Sequence, residues 1–463
     1  MKKIGIMTVA VALGLLCGCT KVDNSLVPES LMSEYTMSLN VDASTLVDVS
    51  TSVGSGSSRT RGTIYNSITD LSSDGIGIYC LPARKNNKNA ENPIFNQFIH
   101  YDANGDLVNA NGVYWDNVKF TIGDEYTPGS GIYRLKMADD AVRPLFEYYP
   151  LASNYGYDFF AYAPYQEGSL LTANDENLDY RDQFLAVKFV IDGTQDIVHG
   201  KSVTPLDSAT NPSYYSAKYF RDTQKASAVE MEFEHKLTRL NFFVKPLPAT
   251  IKDVDGNEPP TDDYTGVDSL AVKSVHLVNM RDSLRMFVAV ESKYSYQRGY
   301  KPGDMLAQSG TKGGATFMLH KRNDVGEWVV PDTLAHIQHK EGDKDYRIPL
   351  GEYMMVLPSS SYLMEVQLCS KNHPEIVYPK TKVRIQLPKK DNGEYNYFKA
   401  GYSYNITLSV EGTTSINFIS ATMHDWKTDE EFGELDVDYL NGDVSVEKPN
   451  DDENAGEEDP DLK

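Results

Sequence analysis

The sequence predicts an all-β protein of short antiparallel strands in two consecutive parts, and three observations predict it. Short runs in which apolar and polar residues alternate are broken by turn clusters along most of the chain, and hardly any 3.6-residue apolar period lasts beyond two turns. Tyrosine, with 30 residues, far outnumbers tryptophan, with 3, and 33 glycines and 22 prolines accompany it. Tyrosine suits half-buried pleated surfaces while glycine and proline set turns, so this is the usage of a strand-and-turn protein. Third, the chain turns polar between Pro246 and Asp263, where Asp253 to Gly256, Pro259-Pro260 and Asp262-Asp263 fall in one span, as at a boundary between parts.

At the N-terminus, Lys2 and Lys3 precede an apolar run from Ile4 to Leu16, the order of an export signal. A membrane span needs about 20 apolar residues, so this run is too short. It stops at Leu16-Cys17-Gly18-Cys19, where a small residue precedes a cysteine as in a bacterial lipobox. Residues 1–18 are therefore read as a signal peptide cut before Cys19, whose thiol would carry a diacylglyceryl group. Each buried CH₂ adds roughly 0.8 kcal/mol of attachment, so several chains on one cysteine hold firmly. The alternative is a plain signal peptide cut at another small residue.

Residues 19–62 read as a flexible, lipid-anchored tether that carries a first strand and an exposed loop. Tyr35, Met37, Leu39 and Val41 alternate with polar partners in the strand period. The chain then enters a Ser/Gly stretch from Ser50 to Gly62 that includes Arg59 and Arg61, a composition that resists packing and is easily nicked. Taken alone, it is equally a plain linker with surface charges.

The clearest strands beyond it are Ile76 to Cys80, Tyr157 to Ala163, Leu185 to Val190, Val272 to Val278, Met354 to Leu357, Leu363 to Leu368, Val383 to Leu387 and Tyr402 to Val410. Asp102 to Asp106 and Lys390 to Gly393 are hairpin turns, and Asp304 to Gly314 and Glu341 to Asp345 read as polar insertions in hairpins. The two parts take residues 63–248 and 249–441. After Trp426, Leu435, Val437 and Tyr439 alternate with Glu434, Asp436 and Asp438, a segment able to complete its own sheet or a neighbour's. Residues 442–463 form an acidic tail, expected to be disordered because clustered carboxylates repel and little apolar surface is left to bury.

The net charge of −22 argues against nucleic acid as a partner, since a polyanion would be repelled where binding needs Lys and Arg. Two of the four cysteines lie at the signal, leaving Cys80 and Cys369. Either they are buried small hydrophobes or, export permitting, they pair if the fold brings them together.

Five stretches resemble the fimbrillins and fimbrillin-like lipoproteins of Gram-negative anaerobes, the subunits of donor-strand (type V) pili. They are Thr60-Arg61-Gly62-Thr63 with Asp74 to Tyr79; Tyr157 to Tyr165, an aromatic strand ending in a proline turn; Phe233-Glu234-His235-Lys236-Leu237-Thr238-Arg239-Leu240-Asn241-Phe242; Met355 to Pro358; and Phe398 to Tyr404 before Ala421 to Trp426. Each is weak singly, but they span nearly the whole mature chain in family order.

The resemblance implies two consecutive β-sandwich domains, a lipoprotein precursor at the outer membrane and cell surface, and assembly with other fimbrial subunits by strand donation. It places the processing arginine at Arg61, with Arg59 the second candidate, and makes the strand of Tyr35, Met37, Leu39 and Val41 the one released. Leu435, Val437 and Tyr439 would supply a donated strand, although the acidic tail after Lys448 is unlike one. The lipobox suits an anchor or accessory subunit as well as a stalk subunit. Adhesion would be to host or bacterial surface glycans or proteins. The physics suits the scheme, because a sheet lacking a strand exposes unpaired backbone groups and an apolar groove that an extended segment fills.

Catalysis is not expected, and neither is a cofactor or metal. His336-Ile337-Gln338-His339 lacks the glutamate of a zinc-protease helix, no Gly-x-Ser-x-Gly elbow occurs, and Ser309 to Gly314 lacks the spacing of a phosphate loop. The acidic clusters Asp451 to Glu453 and Glu457 to Asp459 offer charge without a rigid calcium loop. His235 alternates with Phe233 and Leu237, so it is read as a structural histidine on the core side of a strand. The alternative function is a surface glycan-binding lipoprotein that does not polymerise, with Tyr114, Trp115 and Trp328 stacking on sugars; aromatics on strands are more often core.

Overall fold

The structure, a computed structural model, describes residues 38–42, 68–84, 92–93, 115–138, 156–167, 184–248 and 264–290, then 300–387, 396–425 and 431–435, with short gaps inside the 184–248, 300–387 and 396–425 spans. The fold is all-β. In the first half lie β1 (Ser38–Asp42), β2 (Ile76–Arg84), β3 (Asn92–Pro93), β4 (Trp115–Glu125), β5 (Ile132–Met137), β6 (Gly156–Ala163), β7 (Phe184–Val190), β8 (Val198–Ser202) and β9 (Ala228–His235). All but β7 join one sheet in the order β3-β2-β4-β5-β1-β9-β8-β6, and β6 also pairs with β2. The path therefore closes into a ring of seven strands with β3 as a spur on β2.

A one-turn helix, α1 (Leu71–Asp74), leads into β2, with Ile68 and Leu71 buried against the ring's core. Gly75 makes the corner at φ 77, its N–H donating to the Leu71 carbonyl at 3.0 Å. Only a residue without Cβ adopts that conformation cheaply.

The two-residue period then separates the two faces of the ring. Ile76, Ile78 and Cys80 of β2, Phe159, Ala161 and Ala163 of β6, and Val229, Met231 and Phe233 of β9 share one core with Phe120, Leu135 and Val198. Tyr79, Phe160 and Tyr162 face the other way and belong to the core of the second half, where Phe189 of β7 meets the Tyr162 ring edge-on at 6.0 Å. Strand β6 is buried on both faces, which is why its aromatic run lacks polar alternation.

The second half begins with β10 (Thr238–Pro246), the one-turn α2 (Thr265–Asp268), β11 (Leu270–Met280), β12 (Ser283–Val290), β13 (Met305–Ala307), β14 (Ala315–Met318), β15 (Lys321–Arg322), β16 (Trp328–Val329) and β17 (Ala335–His336). It ends with β18 (Ile348–Val356), β19 (Ser361–Ser370), β20 (Thr381–Gln386), β21 (Tyr402–Val410), β22 (Ile416–Asp425) and β23 (Glu431–Leu435). One sheet runs β18-β10-β21-β22-β23; a second runs β14-β11-β19-β20 with β17 paired to β11; a third runs β13-β12-β7, and β15 pairs β16. Leu240, Phe242, Tyr404 and Ile406 from the first share a core with Val272, Leu277, Met364 and Val366 from the second, so the two are layers of a sandwich.

Two strands from residues 63–248 pair with strands from residues 249–441. Strand β10 lies antiparallel to β18 and parallel to β21, and β7 lies antiparallel to β12. The Phe233 to Phe242 motif is the crossover: Phe233 packs in the ring, while Leu237, Leu240 and Phe242 pack in the second core.

The strands expected from periodicity are present, with altered bounds. The one expected from Met354 runs back to Ile348, through Gly351 at φ 58, because the sequence Pro349-Leu350-Gly351 imitates a turn while its backbone still pairs with β10. The turns at 102–106 and 390–393 lie outside the described residues, as does the loop at 309–313.

Candidate functional site

The most informative feature is the place of β1. It is inserted between β5 and β9, antiparallel to one and parallel to the other. Asn40, Val41 and Asp42 stand level with Arg134, Tyr133 and Ile132; Ser38, Leu39, Asn40 and Val41 stand level with Ala228, Val229, Glu230 and Met231. A strand in this position supplies the hydrogen-bonding partners of both neighbours. Its departure would turn β5 and β9 into open edges.

Both walls present apolar side chains to the ring's core. Val229 and Met231 are buried, and Tyr133 packs against the same core. Outside, Glu230 and Glu232 are exposed on β9, and Arg134 and Lys136 on β5. The β4–β5 corner is tied by Glu125, whose carboxylate accepts the N–H groups of Gly129 at 2.8 Å and Gly131 at 2.6 Å. Those two bonds favour the ionised form and lower the Glu125 pKa. The Arg134 guanidinium lies 4.7 Å from the Tyr126 ring centre.

The exchanged-strand residues of the sequence analysis divide as follows. Leu39 and Val41 fall in β1. Tyr35 and Met37 lie outside the described residues, with Cys19, Arg59 and Arg61. At the other end, Leu435 is the last residue of β23, the edge strand paired to β22, where it stands level with Ala421. Val437 and Tyr439 lie outside the described residues. The walls themselves went unnoticed in the sequence, although their signal was there: Ala228 to His235 reads A-V-E-M-E-F-E-H, a strict two-residue alternation, and Ile132 to Met137 reads I-Y-R-L-K-M.

His235 is buried, and its Nδ1 lies 2.8 Å from Asp196 Oδ2, whose partner oxygen accepts the Ile197 N–H at 2.8 Å. It is a satisfied structural histidine. Nearby His199 is buried with Nε2 2.9 Å from the Val288 carbonyl, tying β8 of the ring to β12. Burial and the Lys236 charge lower its pKa to about 4.

The His336-Ile337-Gln338-His339 stretch separates its two histidines: His336 is exposed, whereas His339 stacks on Tyr264 at 4.4 Å and pairs through Nδ1 with Asp268 at 2.7 Å. Among the described residues no group of three or more His, Cys, Asp or Glu is placed to hold a metal ion. Cys80 and Cys369 are buried thiols that are not bonded to each other; Cys80 lies in the ring core and Cys369 on β19. Trp328 packs edge-on to Tyr353 at 5.1 Å under the Arg322 guanidinium at 4.6 Å. Tyr114 and the side chain of Trp115 lie outside what is described.

No protein-family model matches the chain, and no curated protein matches it. Among solved structures the chain is similar to a candidate cell adhesion protein from Bacteroides uniformis, with 15% identity over 86% of this chain and 100% of that one and a TM-score of 0.39. It is also similar to the fimbrial anchor protein of Porphyromonas gingivalis, with 9% identity over 86% and 99% and a TM-score of 0.27. A third is the tip fimbrial protein of the same organism, C-terminally truncated, with 9% identity over 85% and 99% and a TM-score of 0.28.

Proposed function

We propose that this chain is a non-catalytic surface lipoprotein of a fimbrial assembly that joins a neighbouring subunit by exchange of β1. The carrying observation joins structure to sequence. The segment held between β5 and β9 reads Leu39-Asn40-Val41-Asp42, and the chain repeats that pattern as Leu435-Asp436-Val437-Asp438. In the register of β1, Leu435 of a second copy would stand level with Val229 and Val437 level with Met231. Backbone pairing supplies affinity in such an addition, and alternate side chains supply register.

The remaining steps rest on the sequence. Cys19 holds the precursor at the outer membrane, cleavage after Arg61 frees residues 19–61, or after Arg59 residues 19–59, and adhesion follows from assembly. Glycan stacking on Trp328 would have to displace Arg322, so no observation favours that reading.

The test is intact-mass and N-terminal analysis of the protein from its native membrane. Chains beginning at Gly62 and recovered in oligomers support exchange. Chains that begin only at acylated Cys19 and stay monomeric would sink it.

A further inference from the structure

The loop between β8 and β9 carries a buried aromatic cluster, and its place relative to β1 suggests a role for it. Because β1 is parallel to β9 and antiparallel to β5, its Ser38 end lies at the start of β9, the strand that follows this loop. Tyr214, Tyr215, Tyr219 and Phe220 are all buried in the ring core, with Tyr215 contacting the other three and Phe159 of β6 at 5.7 to 6.3 Å. Their polar ends are tied down as well. Tyr219 Oη donates to Asp207 at 2.9 Å, Tyr214 Oη to Asp158 at 3.3 Å and Tyr215 Oη to the Val203 carbonyl. The N–H of Val203 in turn donates to the carbonyl of Glu230, the β9 residue level with Asn40 of β1.

The opposite wall has its own support. Beyond the Glu125 carboxylate bonds, the Tyr126 N–H donates to the Ile132 carbonyl at 2.6 Å, and Ile132 is level with Asp42. Neither set of contacts involves β1.

We infer that the aromatic loop braces β9, and the Glu125 corner braces β5, so that the slot keeps its shape when β1 leaves it. The chain thereby contains two units of different stability: a separable strand and a preorganised receiver. This rests on the strand-exchange reading. Its physical content is that a receiver already ordered avoids the entropy of ordering its walls when a partner strand enters.

Hydrogen exchange on the intact chain tests it, comparing peptides that cover 38–42 with the β8-facing amides of peptides that cover 229–233, because the β1-facing amides of β9 open with β1. In the wild type the β1 peptide should exchange at least about tenfold faster, the signature of an independent opening unit. In Y215F/Y219F, which keeps the rings and removes two hydroxyl bonds, the β9 peptide should accelerate until the ratio falls below about threefold. D207A provides a second variant that leaves the rings in place, removes the acceptor of the Tyr219 hydroxyl and should shift the ratio in the same direction. If β1 and β9 exchange together in the wild type, the separable strand is wrong, and the strand-exchange reading falls with it. If β1 opens alone but both variants leave the ratio unchanged, only the brace is overturned.

Discussion

Leu39 of β1 stands level with Val229 of β9 in a parallel pairing. Parallel neighbours need a crossover of a dozen or more residues, and here most of the ring lies between the two in the sequence. A strand held in a ring by one parallel and one antiparallel seam depends on distant parts of the chain. Those parts also have contacts that do not involve it.

The β9 wall should be sensitive to truncation. Met231→Ala removes a side chain that is 1% exposed in the ring core. A loss of about 2–5 kcal/mol is expected, the range for emptying a packed methionine site. Urea unfolding would check it, and a loss near zero would show that the slot is loosely packed.

His199 predicts a pH dependence. Its folded pKa is about 4, below its ordinary value of 6.5, so the folded state binds fewer protons than the unfolded chain between those values. Stability should therefore be complete above pH 6.5 and fall as pH drops toward 4, by about 3 kcal/mol from this group. His199→Gln should flatten that part of the profile in urea midpoints measured at pH 7 and 4.5.

Asp196→Ala should destabilise the junction between the ring and the sandwich of the second half. It leaves His235, 4% exposed, without the carboxylate at its Nδ1. About 1–3 kcal/mol is expected for a buried polar atom left without that acceptor, read as a lowered melting temperature. Asp196→Asn, which keeps an acceptor oxygen, should recover part of it.

Gly351→Ala should disturb the β18–β10 pairing. At φ 58 the added Cβ would sit 2.6 Å from the His320 carbonyl oxygen, which is backbone and cannot swing aside. A cost of about 1–3 kcal/mol from conformation alone is expected, with the clash added. Gly412, with open space around its Cβ, is the control and should tolerate alanine.

Much of the strand content was legible in the sequence because side-chain alternation is local. Tyr402 to Val410 is β21 to the residue, and His235 sits on the core side as its neighbours Phe233 and Leu237 imply. Legibility fell where the pattern was broken or doubled. Strand β12 is buried along nearly its whole length, so it has no alternation to read, and β18 was shortened by its turn-like Pro-Leu-Gly.

By itself, the sequence determined the strands whose alternation is unbroken, which face of each is apolar, and that Leu-x-Val-Asp occurs toward both ends of the chain. Only the tertiary structure decided that β1 lies between β5 and β9, and that β10 leaves the ring to lie between β18 and β21 of the sandwich. The reason is that backbone donors and acceptors are nearly the same at every residue. Alternation specifies the face a strand buries, whereas the choice of neighbour depends on how distant segments close around a common core.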